Sequence, residues 1–201
     1  LWPLSPIILK KIEEIKKMNI PLNMILTSHG LGWRKYPKEA LEAYVTWASG
    51  HTIPKIIIAY DTMYYSTEKM AQAMGEGIIA EGVEVKLYRL PISDMGDIIK
   101  EFLDAKGLLL GSSTINNTIL PTVAKFVYEL KGLKPLHKIA GCFGSYGWAK
   151  DIVVKALEAQ LKESGMQIPV PSINFRYVPS QEELKQCFEF GRKFALEVRK
   201  N

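Results

Sequence analysis

Three short segments concentrate the side chains able to hold a ligand or do chemistry. The first, Tyr60-Asp61-Thr62-Met63-Tyr64-Tyr65-Ser66-Thr67-Glu68-Lys69, carries hydroxyls at Thr62, Ser66 and Thr67. It leads from an apolar run straight into a helical pattern. A helix N-terminus offers unpaired N–H groups and a partial positive charge, so it can hold a phosphate with no lysine. Capping by Ser66 or Thr67 is the competing structural explanation, and the segment alone does not separate the two. The second segment, Gly111 to Asn117, is rich in Ser, Thr and Asn, with Pro121 opening the next helix. The third, Phe143-Gly144-Ser145-Tyr146-Gly147-Trp148, joins small residues to two large aromatics. Glycine permits close backbone approach, and a loop aromatic offers a flat apolar face on which a ring can stack. An isolated Trp148 would be read as a core or interface residue. Three such loops together point instead to a planar phosphorylated ligand, a flavin.

Other chemistries lack their signatures. There is no G-x-x-x-x-G-K-[ST], and no G-x-G-x-x-G follows the first strand, against an NTPase or a dinucleotide fold. A phospho-accepting receiver needs an acidic residue at the end of its third strand, where Leu110-Gly111-Ser112-Ser113-Thr114 has none. Cys142 and Cys187 fit neither a disulfide framework nor a zinc site, so a reducing cytoplasm is the expected compartment. His51 and His137 lack partners at metal-ligand spacing and read as surface or interface residues.

The elements that must position these loops follow from periodicity. Strands are expected at Lys55–Tyr60, Val83–Arg89, Gly107–Gly111, Lys138–Phe143 and about Gln167–Ile173. Helices are expected at Thr67–Glu81, Asp94–Asp104, Pro121–Lys131, Ala149–Ser164 and Gln181–Lys200. Ile56-Ile57-Ile58 and Leu108-Leu109-Leu110 are continuous apolar runs, as in central parallel strands covered on both faces. Val83, Val85 and Leu87 alternate with charged residues, which suits a strand nearer an edge. Ser180 and Glu183 form a capping box for the last helix, whose apolar face carries Leu184, Cys187, Phe188, Phe194, Ala195 and Val198. Alternating strands and helices define a doubly wound α/β sheet, in which ligands bind at the carboxyl ends of the strands near the reversal of strand order. The three segments follow the first, third and fourth strands, so they meet there.

Residues 1–50 read differently. A helix is expected from Ile7 to Met18, a short strand over the apolar run Leu22 to Leu26, and a second helix from Pro37 to about Trp47. These elements cannot bury a sheet face alone. The segment reads as the end of a domain whose beginning is missing, consistent with a chain opening Leu1-Trp2-Pro3 without Met.

Apolar residues make up 47% and charged residues 23%, the balance of a soluble globular protein. No apolar run approaches the ~20 residues of a membrane span, and no signal-peptide pattern opens the chain. The formal charge is +5, but the lysines are scattered over helix faces with no basic block, against nucleic-acid binding.

The Tyr60–Ala71 segment, Gly111-Ser112-Ser113-Thr114 with Asn116, and Phe143–Trp148 resemble the flavin loops of flavodiiron proteins. Tyr65 stands where an ordinary flavodoxin has glycine, which resembles the flavodiiron version too. Upstream, Ser28-His29-Gly30 with Trp33, Arg34 and Pro37 looks like the end of that family's metallo-β-lactamase-like domain. The resemblance covers essentially the whole chain. It implies a remnant of the diiron domain over residues 1–50 and a flavodoxin-like five-stranded domain binding FMN over 51–201. By position, it assigns the phosphate to Thr62, Met63, Tyr64, Tyr65, Ser66 and Thr67. Ser113, Thr114, Ile115, Asn116 and Asn117 would lie along the ribityl chain and ring, with Ser145, Tyr146, Gly147 and Trp148 flanking the isoalloxazine. His29 would match the last iron ligand, a lone remnant not expected to bind metal by itself; the diiron centre belongs to the full-length parent.

The resemblance also implies an electron carrier serving a diiron site that reduces dioxygen or nitric oxide. The donor would be rubredoxin, a partner reductase or reduced deazaflavin, and full-length members form head-to-tail dimers. Two alternatives stay open from the sequence: a stand-alone NAD(P)H:quinone reductase of the same fold, and a flavin-free interaction module.

Overall fold

The computed structural model describes residues 1–200. It contains two compact units, Leu1–His51 and the remainder from Thr52 onward. In the first, a 3₁₀ turn at Trp2–Leu4 leads into α1 (Ser5–Lys17), and α2 spans Pro37–Ala48. Pro6 and Pro37 sit in the first turns of α1 and α2, where a missing N–H costs nothing. The strand expected at Leu22–Leu26 does not form. Ile25 and Trp33 exchange two backbone hydrogen bonds, of 3.0 and 2.8 Å, as an isolated antiparallel bridge. The intervening chain turns at once through Gly30, at φ +105°, so apolar residues here mark a tight loop rather than a ladder.

The second unit is a five-stranded parallel sheet of β1 (Ile53–Tyr60), β2 (Glu84–Arg89), β3 (Ala105–Ser113), β4 (Ile139–Tyr146) and β5 (Ile173–Arg176), in the order β2-β1-β3-β4-β5. Between and after them run α3 (Ser66–Ala80), α4 (Met95–Phe102), α5 (Pro121–Leu133), α6 (Ile152–Glu163) and α7 (Gln181–Arg199). Ile56, Ile57, Ile58, Leu108, Leu109 and Leu110 are fully buried, as both-face coverage requires. The chain leaves β1 outward to β2 and returns across it to β3. That reversal opens a crevice beyond the carboxyl ends of β1 and β3.

Two expectations shift. The fifth strand lies at Ile173–Arg176, not Gln167–Ile173; of the stretch before Ile173, Gln167 alone makes a bridge, to Ile139. Pro169 and Pro171 explain this, since neither has an N–H for the ladder. The helix after β4 begins at Ile152 rather than Ala149, because its N-cap Asp151 is left-handed at φ 64°.

α7 carries the expected capping box. Ser180 Oγ accepts from the Glu183 N–H and Glu183 Oε2 from the Ser180 N–H. Its buried face includes Phe190 and Gly191, which the periodicity did not single out, while Leu184 and Phe188 are half-buried. Gly191 faces Gly77 of α3. A Cβ on Gly191 would lie 2.2 Å from the Met74 carbonyl oxygen, and one on Gly77 would lie 2.1 Å from that of Phe188. The two helices therefore pack backbone against backbone.

Candidate functional site

The loop leaving β1 is held from below by one carboxylate. Asp61 Oδ1 accepts the Thr62 N–H at 2.7 Å, Oδ2 accepts the Thr122 hydroxyl on α5, and the Asp61 N–H donates to Gly111 O at 3.1 Å. The loop ends at Tyr65, whose φ of 63° lies in the left-handed region, and Arg89 stacks 5.7 Å from the centre of its ring. Tyr65 is itself the N-cap residue of α3, and no side chain caps this helix. Ser66 and Thr67 lie in its first turn, so capping does not account for them.

Thr67 has another role. Its Oγ1 lies 3.0 Å from Ser113 Oγ and 3.3 Å from Ser145 Oγ, and Ser145 Oγ donates to Ser113 Oγ at 3.2 Å. One hydroxyl from each of the three loops meets in a buried triangle, to which the Met63 N–H adds a 3.4 Å bond at Ser113 Oγ. The second and third loops are also tied directly, because the Thr114 N–H and hydroxyl both donate to Ser145 O, at 2.9 and 3.0 Å. Beyond Thr114, Ile115 and Thr118 exchange backbone bonds around Asn116 and Asn117, with φ of 47° and 58°. A two-residue hairpin with both central residues at positive φ is a type I′ turn, and asparagine tolerates it best after glycine.

These loops enclose a cavity of about 380 Å³. Met63, Tyr64 and Ser66 line it from the first loop and Ser113, Thr114, Ile115, Asn116 and Asn117 from the second. Ser145, Tyr146, Gly147 and Trp148 line it from the third. Thr62, Tyr65 and Thr67 do not reach the wall. Ala149 and Tyr177 do, and neither was singled out from sequence. Tyr177 follows the fifth strand, whose displaced expectation hid it. Its N–H donates to Tyr146 O at 2.8 Å, which brings a fourth loop to the pocket. Trp148 is 86% and Tyr64 78% exposed, which rules out a core role for the tryptophan. No lining side chain carries a charge at neutral pH.

The walls fit a phosphorylated ring. Thr62 Oγ1 is buried and has no hydrogen-bond partner, a state that a phosphate oxygen beside the first turn of α3 would relieve. Size agrees as well, since small-molecule sites run from roughly 300 to 1,000 Å³. A larger hollow of about 850 Å³ lies within the first unit, by Ile15, Leu22, Leu41 and Val45, but it collects none of the three chemistry-bearing segments. Thiol chemistry has no place here. Burial pushes the Cys187 thiol up to about 12 and raises Cys142 further, and both are free. His29 is exposed, with Nδ1 3.0 Å from Ser28 Oγ. Among the described residues, no group of three or more His, Cys, Asp or Glu could hold a metal ion.

The flavodoxin family model matches residues 58–191, the span carrying all three loops. The chain belongs to the flavodoxin family. Within it, the likeness is to flavodiiron proteins. A nitric oxide reductase of Moorella thermoacetica is 47% identical over 199 residues, which is 98% of this chain and 50% of that protein. The rubredoxin:oxygen oxidoreductase structure from Desulfovibrio gigas superposes with a TM-score of 0.93 at 33% identity, over 98% of this chain and 49% of that one. An archaeal flavodoxin structure matches 72% of this chain and 99% of its own, with a TM-score of 0.66 at 30% identity. This flavodoxin chain thus spans about half the length of the curated relatives it matches, and it matches the C-terminal part of flavodiiron proteins. An FMN-dependent electron-transfer role accords with that membership. Among the described residues, no helix is long and apolar enough to cross a membrane.

Proposed function

We propose that the cavity beyond β1, β3 and β4 binds FMN and that the chain is the electron-carrying part of a flavodiiron protein. The observation that carries this reading is the pairing, at one sheet edge, of an uncharged aromatic-walled cavity with a helix start beside a buried, unpartnered hydroxyl. Thr62, Ser66 and the first N–H groups of α3 hold the phosphate, with Met63, Tyr64 and Tyr65 shaping that loop. Thr67 joins them at the base, its hydroxyl shared with Ser113 and Ser145. Thr114, Ile115, Asn116 and Asn117 follow the ribityl chain and ring, while Tyr146, Gly147, Trp148 and Tyr177 bound the ring. When bound, FMN supplies the one- and two-electron chemistry, and the protein sets its orientation, exposure and potential. The chain's residues do the rest: they bind, orient and shield one face of the ring, and leave the edge near Tyr64 and Trp148 open to a partner.

In the full-length protein the electrons pass to a diiron site that reduces dioxygen or nitric oxide, with rubredoxin, a reductase or reduced deazaflavin as donor. Residues 1–50 are then the end of the metallo-β-lactamase-like domain, His29 is the remnant of its ligand set, and the parent assembles head to tail in the cytoplasm.

Titration of the purified chain with FMN and with riboflavin, followed by flavin fluorescence, tests the site. Replacing Thr62 by Val together with Ser66 by Ala is expected to weaken FMN more than tenfold, about 1.4 kcal/mol or more, and to leave riboflavin nearly unchanged. Equal loss for both ligands would refute the phosphate assignment. Steady NAD(P)H turnover with quinones by this chain would favour the stand-alone reductase instead.

A further inference from the structure

The cavity wall is neutral, yet a cation stands directly behind it. Arg176 closes β5, and its Nε donates to Gly147 O at 2.8 Å. Its guanidinium carbon lies 5.0 Å from the centre of the Tyr177 ring. Gly147 and Tyr177 both line the cavity. They also touch each other, since a Cβ on Gly147 would lie 3.2 Å from Tyr177 Cε1. Tyr177 takes a left-handed φ of 59°, a conformation that a bulky residue holds only when its surroundings fix it. One arginine thus clamps the turn after β4 to the aromatic after β5.

The charge of Arg176 is left uncancelled. Among the described residues it forms no ion pair, and its other hydrogen bond, from Nη2 to the Tyr177 hydroxyl at 3.5 Å, is to a neutral group. We infer that Arg176 is a positioning residue for the ring-binding wall, and that its charge raises the affinity of the site for reduced over oxidised flavin. The inference rests on the FMN reading above. A two-electron reduction accompanied by one proton leaves the ring one negative charge richer, the electrons coming from a low-potential donor such as dithionite. A cation beside a wall with no opposing carboxylate favours that product. Ratio of affinities and reduction potential are two expressions of one free energy, so the potential reports the effect.

The test uses the whole chain loaded with FMN, with Arg176→Gln and Arg176→Lys. Arg176 is solvent-exposed, so neither change disturbs the core. Reduction potentials come from dye-coupled titration at low ionic strength, and dissociation constants for oxidised FMN from fluorescence. Arg176→Gln is expected to lower the preference for reduced flavin about tenfold, a fall of about 30 mV for a two-electron couple. Arg176→Lys keeps the charge but not the planar fork that bonds Gly147 while stacking on Tyr177, so it should hold the potential and weaken oxidised FMN about threefold. Raising the salt should shrink the gap in potential between parent and Arg176→Gln. An unchanged potential in Arg176→Gln, or equal shifts in both variants, would overturn the inference while leaving FMN binding intact. Failure of the unsubstituted chain to bind FMN would overturn the reading beneath it as well.

Discussion

Replacing Gly191 by Ala tests how α3, the helix that follows the loop after β1, is held. The added Cβ would lie 2.2 Å from Met74 O and 2.9 Å from the Met74 carbonyl carbon and Cα, all of them backbone atoms that no rotamer change can move. Recovering an ordinary contact requires α3 and α7 to part by about 1 Å. That gap loosens Met74, Ile78, Phe190, Phe194 and Val198, which are all at most 4% exposed. Overpacking of this kind costs roughly 3 kcal/mol, and alanine regains roughly 1 kcal/mol of helix propensity, so the net loss is about 2 kcal/mol. Gly132, in α5, is the internal control, since a Cβ there meets nothing within 4 Å. The same chemical change should stabilise by about 0.5 kcal/mol at Gly132. Urea unfolding of parent and both variants, with the slope checked for constancy, measures the difference. Gly191→Ala within about 0.5 kcal/mol of the parent would refute the backbone-contact reasoning.

Substitutions at two further residues probe the sheet's ends. Lys138 is buried at the amino edge, its Nζ donating to Leu103 O at 2.9 Å and Ala105 O at 2.6 Å. Burial, with Lys106 and Lys55 adding repulsion against the pull of Asp104, pushes it down to about 7 from 10.5. The unfolded chain then binds one more proton between those values, so stability should rise with pH across that window, by up to ~1.4 kcal/mol per unit. Lys138→Met should flatten the slope in unfolding curves at pH 7 and 9, and an unaltered slope would exclude Lys138 as its source. At the other edge, Tyr65→Val places a β-branched residue at φ 63° and should cost about 1–2 kcal/mol. Tyr65→Gly relieves the backbone but loses the ring on Arg89, and should melt within a few degrees of the parent.

Much of the fold was legible because its signals are local. Ile56-Ile57-Ile58 and Leu108-Leu109-Leu110 announce central parallel strands by composition alone, and Ser180 with Glu183 writes a helix start into four residues. The misses share a cause too. β5 is short and half-buried, so its alternation is faint, while Ile168 and Val170 before it, interleaved with Pro169 and Pro171, mimic a strand. Once β5 was displaced, Tyr177 lost its place at the sheet edge. The α3–α7 crossing was invisible for a different reason: a glycine's meaning there is the space across from it, and Met74 is 117 residues away in sequence. At the site, residue types marked the three loops that enclose the cavity, yet they could not say that Thr67 turns inward to Ser113 and Ser145 rather than lining the wall.

That inward turn bears on how the pocket works. Every loop around it is tied to another by bonds that need no ligand: Thr67 to Ser113 and Ser145, Thr114 to Ser145 O, Asp61 to Thr122, Tyr177 to Tyr146 O. A pocket so cross-linked is ordered before binding, and the ligand need not supply that ordering from its own contacts. The buried triangle is built of hydroxyls, which can each give one proton and accept others, so it can reorient towards a phosphate oxygen without leaving a charge unpaired. A lysine at the same depth would have to be desolvated whenever the site stood empty. If the cavity holds FMN as proposed, neutral donors at the base, an arginine behind the ring wall and exposed aromatics at the rim would divide three tasks among separate residues: holding the phosphate, biasing the redox state, and leaving an edge open for electrons to cross.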